Sequence, residues 1–214
     1  MGTRNANNLV SVSTDGTVCV WNIEKLVQPV EVMQLKNAKN KDIAPTCIGF
    51  PDGEVNTFYV GAEDGGVYNC TRHGSKQGVQ ERFGAHHGPA TSLDFHPATG
   101  SLDFSDLFLT TSVDWTTSLW SRKVGDDNQT AARLMSFDHS NDYVYSAKWS
   151  PVHPALFATG NGEGRLDVWD LNRDTEEPAS STTFDDGSRR AINTVHWAPD
   201  GRRIVAGDST GAVH

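Results

Sequence analysis

Short runs of apolar and β-branched residues recur along this chain, and each run is bounded by residues that favour turns, mainly Gly, Asp, Asn and Pro. Such runs predict short β-strands. One set of runs is almost continuously apolar, as expected of strands that are buried on both faces, and we name these strands b. Strands b are predicted at residues 9–13, 58–62, 107–112, 156–160 and 204–207.

The turns that follow strands b are spaced almost evenly. They begin 49, 50, 49 and 47 residues apart, at Asp15-Gly16, Asp64-Gly65, Asp114-Trp115, Glu163-Gly164 and Thr210-Gly211. Between two apolar runs, Asp-Gly predicts a hairpin, because Gly tolerates a positive φ and Asp bonds back to the backbone. A fixed period of this length predicts one structural unit that is repeated along the chain.

Each unit carries further predicted strands around its turn. Strand a precedes strand b and ends at an aromatic residue followed closely by Pro, which cannot donate to a β-ladder. Strand c follows the turn, and a less regular strand d follows strand c. We predict strand a at 46–50, 91–95, 144–149 and 192–197, strand c at 17–22, 67–71, 117–121 and 165–170, and strand d at, for example, 133–137 and 181–184.

A bulky or apolar residue stands six positions after each of the four acidic turn residues. These residues are Trp21, Cys70, Trp120 and Trp169. Four short antiparallel strands in a unit of roughly 45 residues predict a β-propeller blade, and Trp supplies a large area for packing one blade on the next. The Asp-to-Trp spacing and the dipeptide Trp169-Asp170 favour the WD-repeat type. The Gly-Gly doublet of kelch blades occurs only at Gly65-Gly66.

We therefore predict an all-β fold, a WD-repeat β-propeller with about 4.4 blades. The blade units are predicted at approximately 1–40, 41–84, 85–138, 139–186 and 187–214. The first unit lacks a strand a, and the last stops after strand b. We therefore expect a fragment of a seven-blade ring rather than a closed four-blade ring.

Charge and composition argue against several classes of function. The chain has 18 basic and 27 acidic residues and a formal charge of −9. Its densest basic stretches, at 36–41 and 202–203, are short, so nucleic acid is not expected as the main ligand. No apolar run approaches the ~20 residues of a membrane span, and the start lacks a signal-peptide pattern, so we expect a cytoplasmic protein. Cys19, Cys47 and Cys70 form no Cys-x-x-Cys pair and are predicted to be buried, reduced thiols.

The histidines are predicted to be structural. In WD blades, a His before strand a commonly bonds the turn Asp, which supports a hydroxyl on strand b and the Trp on strand c. Two such sets are predicted, one of His86 (or His87), Ser112, Asp114 and Trp120, the other of His139, Thr159, Glu163 and Trp169. The second fits less well because Glu is longer than Asp. No metal or cofactor site is predicted, because the His spacings match no ligand motif. A Ser-His-Asp catalytic triad is not predicted either, because a buried network offers neither an exposed hydroxyl nor an oxyanion site.

Two features of the loops suggest a partner surface. Trp115 stands in a hairpin turn, where it either anchors an interface or packs over the adjacent blade. Arg72, His73 and Lys76 form a short basic loop after strand c, which is either solvated or in contact with an acidic partner surface.

Several segments together resemble the C-terminal WD-repeat domain of the cytoplasmic dynein intermediate chains. These segments are 8–16, 72–76, 112–116, 119–120, 142–145, 149–158, 164–172 and 207–209. Trp in place of Gly at position 115 is unusual for WD repeats in general and is typical of this family. Axonemal intermediate chains share the Asp-Trp-Thr turn, whereas Arg-His-Gly-Ser-Lys at 72–76 and His-Pro-Ala-Leu-Phe-Ala at 153–158 favour the cytoplasmic type.

The resemblance implies a non-catalytic motor subunit in the cytoplasm and on microtubules, whose propeller binds the dynein heavy chain. Light chains and dynactin are implied to bind an N-terminal region that this chain does not contain. Two alternatives stay open from the residues alone. One is an adaptor of another complex, such as a ubiquitin-ligase substrate receptor. The other is a propeller hydrolase, which needs inward-facing His and carboxylates around the central channel.

Overall fold

The computed structural model describes residues 8–74, 77–97, 103–122, 132–184 and 190–214. All regular elements in these ranges are β-strands, which form five antiparallel sheets. The first sheet contains β1 (Asn8–Val12), β2 (Thr17–Asn22) and β3 (Glu31–Gln34); the second contains β4 (Pro45–Gly49), β5 (Thr57–Ala62), β6 (Gly66–Thr71) and β7 (Gly78–Ala85); the third contains β8 (Ala90–Phe95), β9 (Leu107–Ser112), β10 (Thr117–Ser121) and β11 (Ala132–Phe137); the fourth contains β12 (Val144–Trp149), β13 (Leu156–Asn161), β14 (Arg165–Asp170) and β15 (Ser180–Thr183); the fifth contains β16 (Ile192–Trp197) and β17 (Ile204–Asp208).

Within each sheet the strands lie side by side in chain order, as in a propeller blade, and we number the sheets as blades one to five. The second, third and fourth blades have strands a to d. The described part of the first blade has strands b to d, and that of the fifth has strands a and b. The predicted all-β fold is confirmed, and the predicted strands match the observed ones to within a residue or two. The limits of the blade units remain predictions.

The apolar core lies between neighbouring blades rather than inside one sheet. Trp120 stacks on its cross-strand partner Phe108 at 6.1 Å, and both contact Tyr59 and Phe83 of blade two. Trp169 stacks on Phe157 in the same way at 5.7 Å, against the residues of blade three. The Trp of strand c therefore fills the space between its own blade and the preceding one. This arrangement follows from the spacing of six residues after the turn, which puts the Trp opposite an aromatic residue of strand b.

The strands a of successive blades lie next to one another, β4 beside β8, β8 beside β12 and β12 beside β16. Each of them has a β-bulge at its second residue, namely Thr46, Thr91, Tyr145 and Asn193. The first two bulge hydroxyls donate to backbone carbonyls of the next blade. Thr46 Oγ1 is 2.6 Å from Ala90 O, and Thr91 Oγ1 is 2.5 Å from Val144 O. These bonds join neighbouring blades along the strands a.

Membrane insertion by a helix has no support in the ranges that the structure describes. None of them contains a helix long and apolar enough to cross a bilayer.

Candidate functional site

The b–c turns and the loops that lead into strands a lie at the same end of every blade, because the strands alternate in direction. We call this end the turn face. In four b–c turns Gly has a positive φ, +86° at Gly16, +75° at Gly65, +83° at Gly164 and +87° at Gly211. A Cβ atom at Gly65 would lie 2.4 Å from the carbonyl oxygen of His86, so a side chain is excluded there.

Trp115 occupies the position that Gly holds in the other four turns. Its φ is +74°, and 49% of its surface is exposed. A bulky residue in this conformation costs on the order of 1–3 kcal/mol, and such strain is concentrated at functional sites. The half-exposed indole recovers only part of that cost by burial. The strain therefore favours the prediction that Trp115 has a role outside the folding of its own blade.

A buried hydrogen-bond chain supports this turn in blade three. His86, whose side chain is 0% exposed, has Nδ1 3.1 Å from Asp114 Oδ2 and Nε2 2.7 Å from Thr110 Oγ1. Trp120 Nε1 donates to the same Thr110 oxygen at 2.7 Å. Because the Asp114 carboxylate can only accept, His86 Nδ1–H donates to it; in the neutral imidazole Nε2 then accepts from the Thr110 hydroxyl, which itself accepts from the indole. The chain runs from the blade core to the turn and leaves none of these atoms unpaired.

The hydroxyl that connects His86 to Trp120 belongs to Thr110, which corrects the prediction of Ser112. Ser112 Oγ instead accepts from the Asp114 amide at 3.0 Å and donates to Gly88 O at 3.0 Å. The repeat itself could have identified Thr110. It stands four residues before Asp114, as Ser11 and Thr159 stand four before their turn acids. The same Trp-to-hydroxyl bond occurs there, at 2.8 Å to Ser11 and 3.3 Å to Thr159.

The hydrogen-bond chain from Trp120 to Asp114 affects the ionisation of Asp114. Burial raises the pKa of Asp114, but hydrogen bonds from His86, Thr116 and the His87 amide outweigh burial and hold that pKa well below its ordinary value of 3.8. A carboxyl with a lowered pKa in the folded state contributes stability above its unfolded pKa. That stability is lost as pH falls toward the folded pKa.

We therefore expect Asp114→Asn to be less stable than the wild type at pH 7, with a difference that shrinks as pH falls below about 4. Urea unfolding followed at several pH values between neutral and acid measures this difference. Asp15→Asn provides the comparison without a His, since hydrogen bonds from Thr17 also lower the pKa of Asp15, but this exposed residue has no His partner in the described chain. A difference that stays constant across this range would show that the Asp114 charge does not stabilise the fold.

The corresponding residues of blade four do not form one network. Trp169 bonds Thr159, and the His139 ring lies edge-on to the indole at 6.1 Å, but in the described chain no hydrogen bond joins the His139 imidazole to Glu163 or Thr159. Asn161 fixes the turn instead, since its Oδ1 accepts from the amides of Glu163 at 3.1 Å and Arg165 at 2.9 Å. The predicted roles of His139 and Glu163 are thus corrected.

The fifth turn uses the same position as Asn161. Asp208 Oδ1 accepts from the Thr210 amide at 2.8 Å and the Ala212 amide at 3.0 Å, while Oδ2 lies 3.0 Å from His214 Nε2. Sequence reasoning missed Asp208, because it looked for the acid two residues later, at Thr210. Turn capping can therefore come from either of two positions.

The predicted basic loop does not form one surface. Arg72 is only 4% exposed, and its guanidinium bonds Val55 O at 3.3 Å and Glu31 Oε2 of blade one at 3.5 Å. Arg72 therefore joins two blades and is not available to a partner, which corrects that prediction. The His73 side chain is 54% exposed and lies 3.7 Å from Glu31. Lys76 lies outside the described residues.

A second arginine, which sequence reasoning missed, has the same place in blade three. Arg122 follows strand c as Arg72 does, and it pairs with Glu54 of blade two at 2.5 Å and with Asp106 at 2.9 Å. An Arg directly after strand c in two successive blades is the sequence signal that could have indicated both bridges.

The cysteines and the acidic and histidine side chains give no metal centre in the parts of the chain that the structure describes. Cys19, Cys47 and Cys70 are free thiols; Cys70 is buried, whereas the other two are half-buried and so less enclosed than predicted. Burial raises the pKa of Cys47 to about 11 and that of Cys70 to about 12. Both therefore stay protonated at neutral pH and have low reactivity.

Comparison with known families agrees with the geometry. The family model "WD domain, G-beta repeat" matches residues 3–22. This match and the four-stranded antiparallel blades are consistent with a WD-repeat β-propeller. Over all 214 residues the chain is 44% identical to the cytoplasmic dynein 1 intermediate chain of Drosophila melanogaster, of which it covers 31%. The resemblance to the dynein intermediate chains is therefore confirmed, and the chain spans about a third of the length of this curated relative.

Proposed function

We propose that this chain is the propeller part of a dynein intermediate chain, a non-catalytic subunit that docks onto the dynein heavy chain. The single observation that carries this proposal is the 44% identity along the whole chain to a cytoplasmic dynein intermediate chain. We accordingly place the protein in the cytoplasm, in complexes that move on microtubules. Light chains and dynactin are assigned to regions of the subunit outside this chain.

The arrangement of polar groups supports a scaffold rather than an enzyme. The cluster that most resembles a catalytic triad contains His86 and Asp114, but the His86 side chain is wholly buried and both of its ring nitrogens bond to the protein. A general base must reach a substrate proton, and this His cannot. An adaptor role in an unrelated complex is not favoured, since the similarity to a dynein subunit extends over the whole chain.

Within this proposal Trp115 is the residue that we assign to the heavy-chain interface. A half-exposed Trp is the side chain most enriched among binding hot spots, and truncating a hot spot costs about 2 kcal/mol or more, equivalent to roughly 30-fold in affinity. His73, which is also exposed, is a weaker candidate because it lies beside Glu31 of its own chain.

We expect Trp115→Ala to reduce heavy-chain capture by roughly 30-fold. Folding should stay intact, because about half of the Trp115 surface is exposed to solvent. The measurement is titration of the full-length subunit with a dynein heavy-chain tail fragment on a biosensor surface. Val152→Ala is the matched control, since Val152 has a similar exposure of 48% and lies in the a–b loop, at the other end of its blade. Unchanged capture would remove Trp115 from the interface. A folded wild-type subunit that fails to bind the tail would contradict the docking proposal itself.

A further inference from the structure

Three positions on the turn face of blades three and four differ from the equivalent positions of blade two, which has Gly65 in its turn, Thr46 at its bulge and Asp64 as its turn cap. The first is Trp115, which replaces the Gly of the other turns at a cost in backbone strain. Departures from a local rule that bring no gain in the fold are expected at functional sites. The other two departures lie in blade four, at the end of the blade that carries its b–c turn and the start of its strand a.

The second departure is Tyr145, at the bulge of strand a. In blades two and three this bulge holds Thr46 and Thr91, whose hydroxyls bond the next blade. The ring of Tyr145 instead packs edge-on against Tyr143 at 6.2 Å, and 44% of Tyr143 is exposed. Bulges commonly re-aim a side chain beside a functional site. In blade four the bulge thus builds a pair of tyrosines at the start of strand a.

The third departure is Glu163, because Asn161 rather than the acidic residue of the turn accepts the hydrogen bonds from the turn amides. Asp138 and Asp142 lie in the loop that leads to the tyrosines, and Asp142 lies against Gly162 of the same turn. None of these three carboxylates has an ion pair with another described residue. The exposed aromatic side chains therefore have negative charge beside them.

We propose that this aromatic surface, formed by Trp115, Tyr143 and Tyr145, binds a basic segment of a protein partner. Lysine or arginine side chains of that segment lie on the aromatic rings, and the carboxylates of Asp138, Asp142 and Glu163 supply the counter-charge. A cation over an aromatic face is attracted by the ring quadrupole, and Trp attracts it best. If the function proposed above holds, the basic segment belongs to the dynein heavy chain.

The charge on the rest of the turn face gives the segment an orientation. The equivalent loop before strand a of blade two carries exposed lysines, among them Lys36 and Lys39. Asp42, Glu63 and Asp64 lie at the same end of blade two, so the turn face carries both signs of charge there, whereas the acidic side chains Asp138, Asp142 and Glu163 lie at blade four. A partner segment is favoured when its cations meet blade four, because complementary charge selects orientation and raises the rate of association.

The test uses the full-length subunit and two probes, the heavy-chain tail and a short labelled peptide rich in arginine and leucine. We expect Trp115→Gly to weaken binding of both probes by 10-fold or more, while raising the midpoint of unfolding, since Gly relieves the strained φ. Tyr143→Ser should weaken binding several-fold. The combined Asp138→Asn, Asp142→Asn and Glu163→Gln variant should weaken it and flatten its dependence on salt, because screening acts on exposed charges. Lys39→Ala, the matched control, should leave affinity equal or slightly higher.

The outcomes separate this inference from the proposed function. If the tail binds and none of the three variants weakens it, the basic-segment surface is wrong and heavy-chain docking stands. If the peptide binds and responds to the variants but the tail does not bind, the surface stands and the dynein role fails. If neither probe binds the folded subunit, both are overturned. Circular dichroism of each variant confirms that a loss of binding is not a loss of fold.

Discussion

Trp169→Ala is expected to lower the free energy of unfolding by about 3–5 kcal/mol, because it removes a buried indole and leaves a cavity between two blades. Trp169 is 3% exposed, stacks on Phe157 at 5.7 Å and contacts Phe137 of blade three at 4.9 Å. The rings on both sides belong to separate sheets, which are held in place by their own ladders. The site therefore cannot collapse easily to fill the space, and the loss falls toward the upper end of this range.

Denaturant unfolding monitored by circular dichroism measures the loss. Trp115→Ala makes the same chemical change at a half-exposed indole and is expected to shift stability by no more than about 0.5 kcal/mol. A loss at Trp169 similar to that at Trp115 would show that the strand-c indoles do not hold the blades together. The fold would then depend mainly on the strand-a contacts.

The strands and turns could be predicted from the sequence because their signals are local. A positive φ at Gly16 or Gly164 and a Pro after strand a act on their own neighbours, and the repeat multiplies each signal several times. The buried Trp of strand c followed from the same repeat. The sequence pattern therefore predicts the features that the blades share, which are the strands, the b–c turns and the Trp of strand c.

The predictions that were wrong or absent concern contacts between blades and positions at which one blade differs from the repeat. Arg72 was predicted to lie in a basic loop that is either solvated or in contact with a partner, yet it bonds Glu31, which lies 41 residues earlier in another blade. Ser112 was predicted to be the hydroxyl of the blade-three network, yet the hydroxyl that faces the indole is that of Thr110, two residues earlier on the same strand. Tyr145 gave no signal at all, since a bulge depends on the register of two strands. The candidate surface therefore became visible only when Tyr145 could be placed beside Tyr143.

The hydrogen-bond chain of blade three gives the second large effect, and blade four contains its matched control. We expect His86→Ala to cost about 3 kcal/mol, because it leaves a cavity where a wholly buried imidazole stood and removes one buried hydrogen bond from Thr110 and one from Asp114. Asp114 keeps its bonds from Thr116 and the His87 amide, and Thr110 keeps its bond from Trp120.

His139→Ala deletes the residue that was predicted for the same role. In the described chain the His139 imidazole bonds neither Glu163 nor Thr159 and only packs against Trp169, so a loss below about 1 kcal/mol is expected. Both variants are compared with the wild type by urea unfolding at pH 7. Equal losses at the two positions would mean that ring packing, rather than the bond from Thr110 through His86 to Asp114, stabilises these turns. A large loss at His86 alone would show that the hydrogen-bond chain stabilises blade three, whose turn contains Trp115 at a positive φ. The bonds to Asp114 would then offset the backbone strain at Trp115, the residue that we assign to the partner interface.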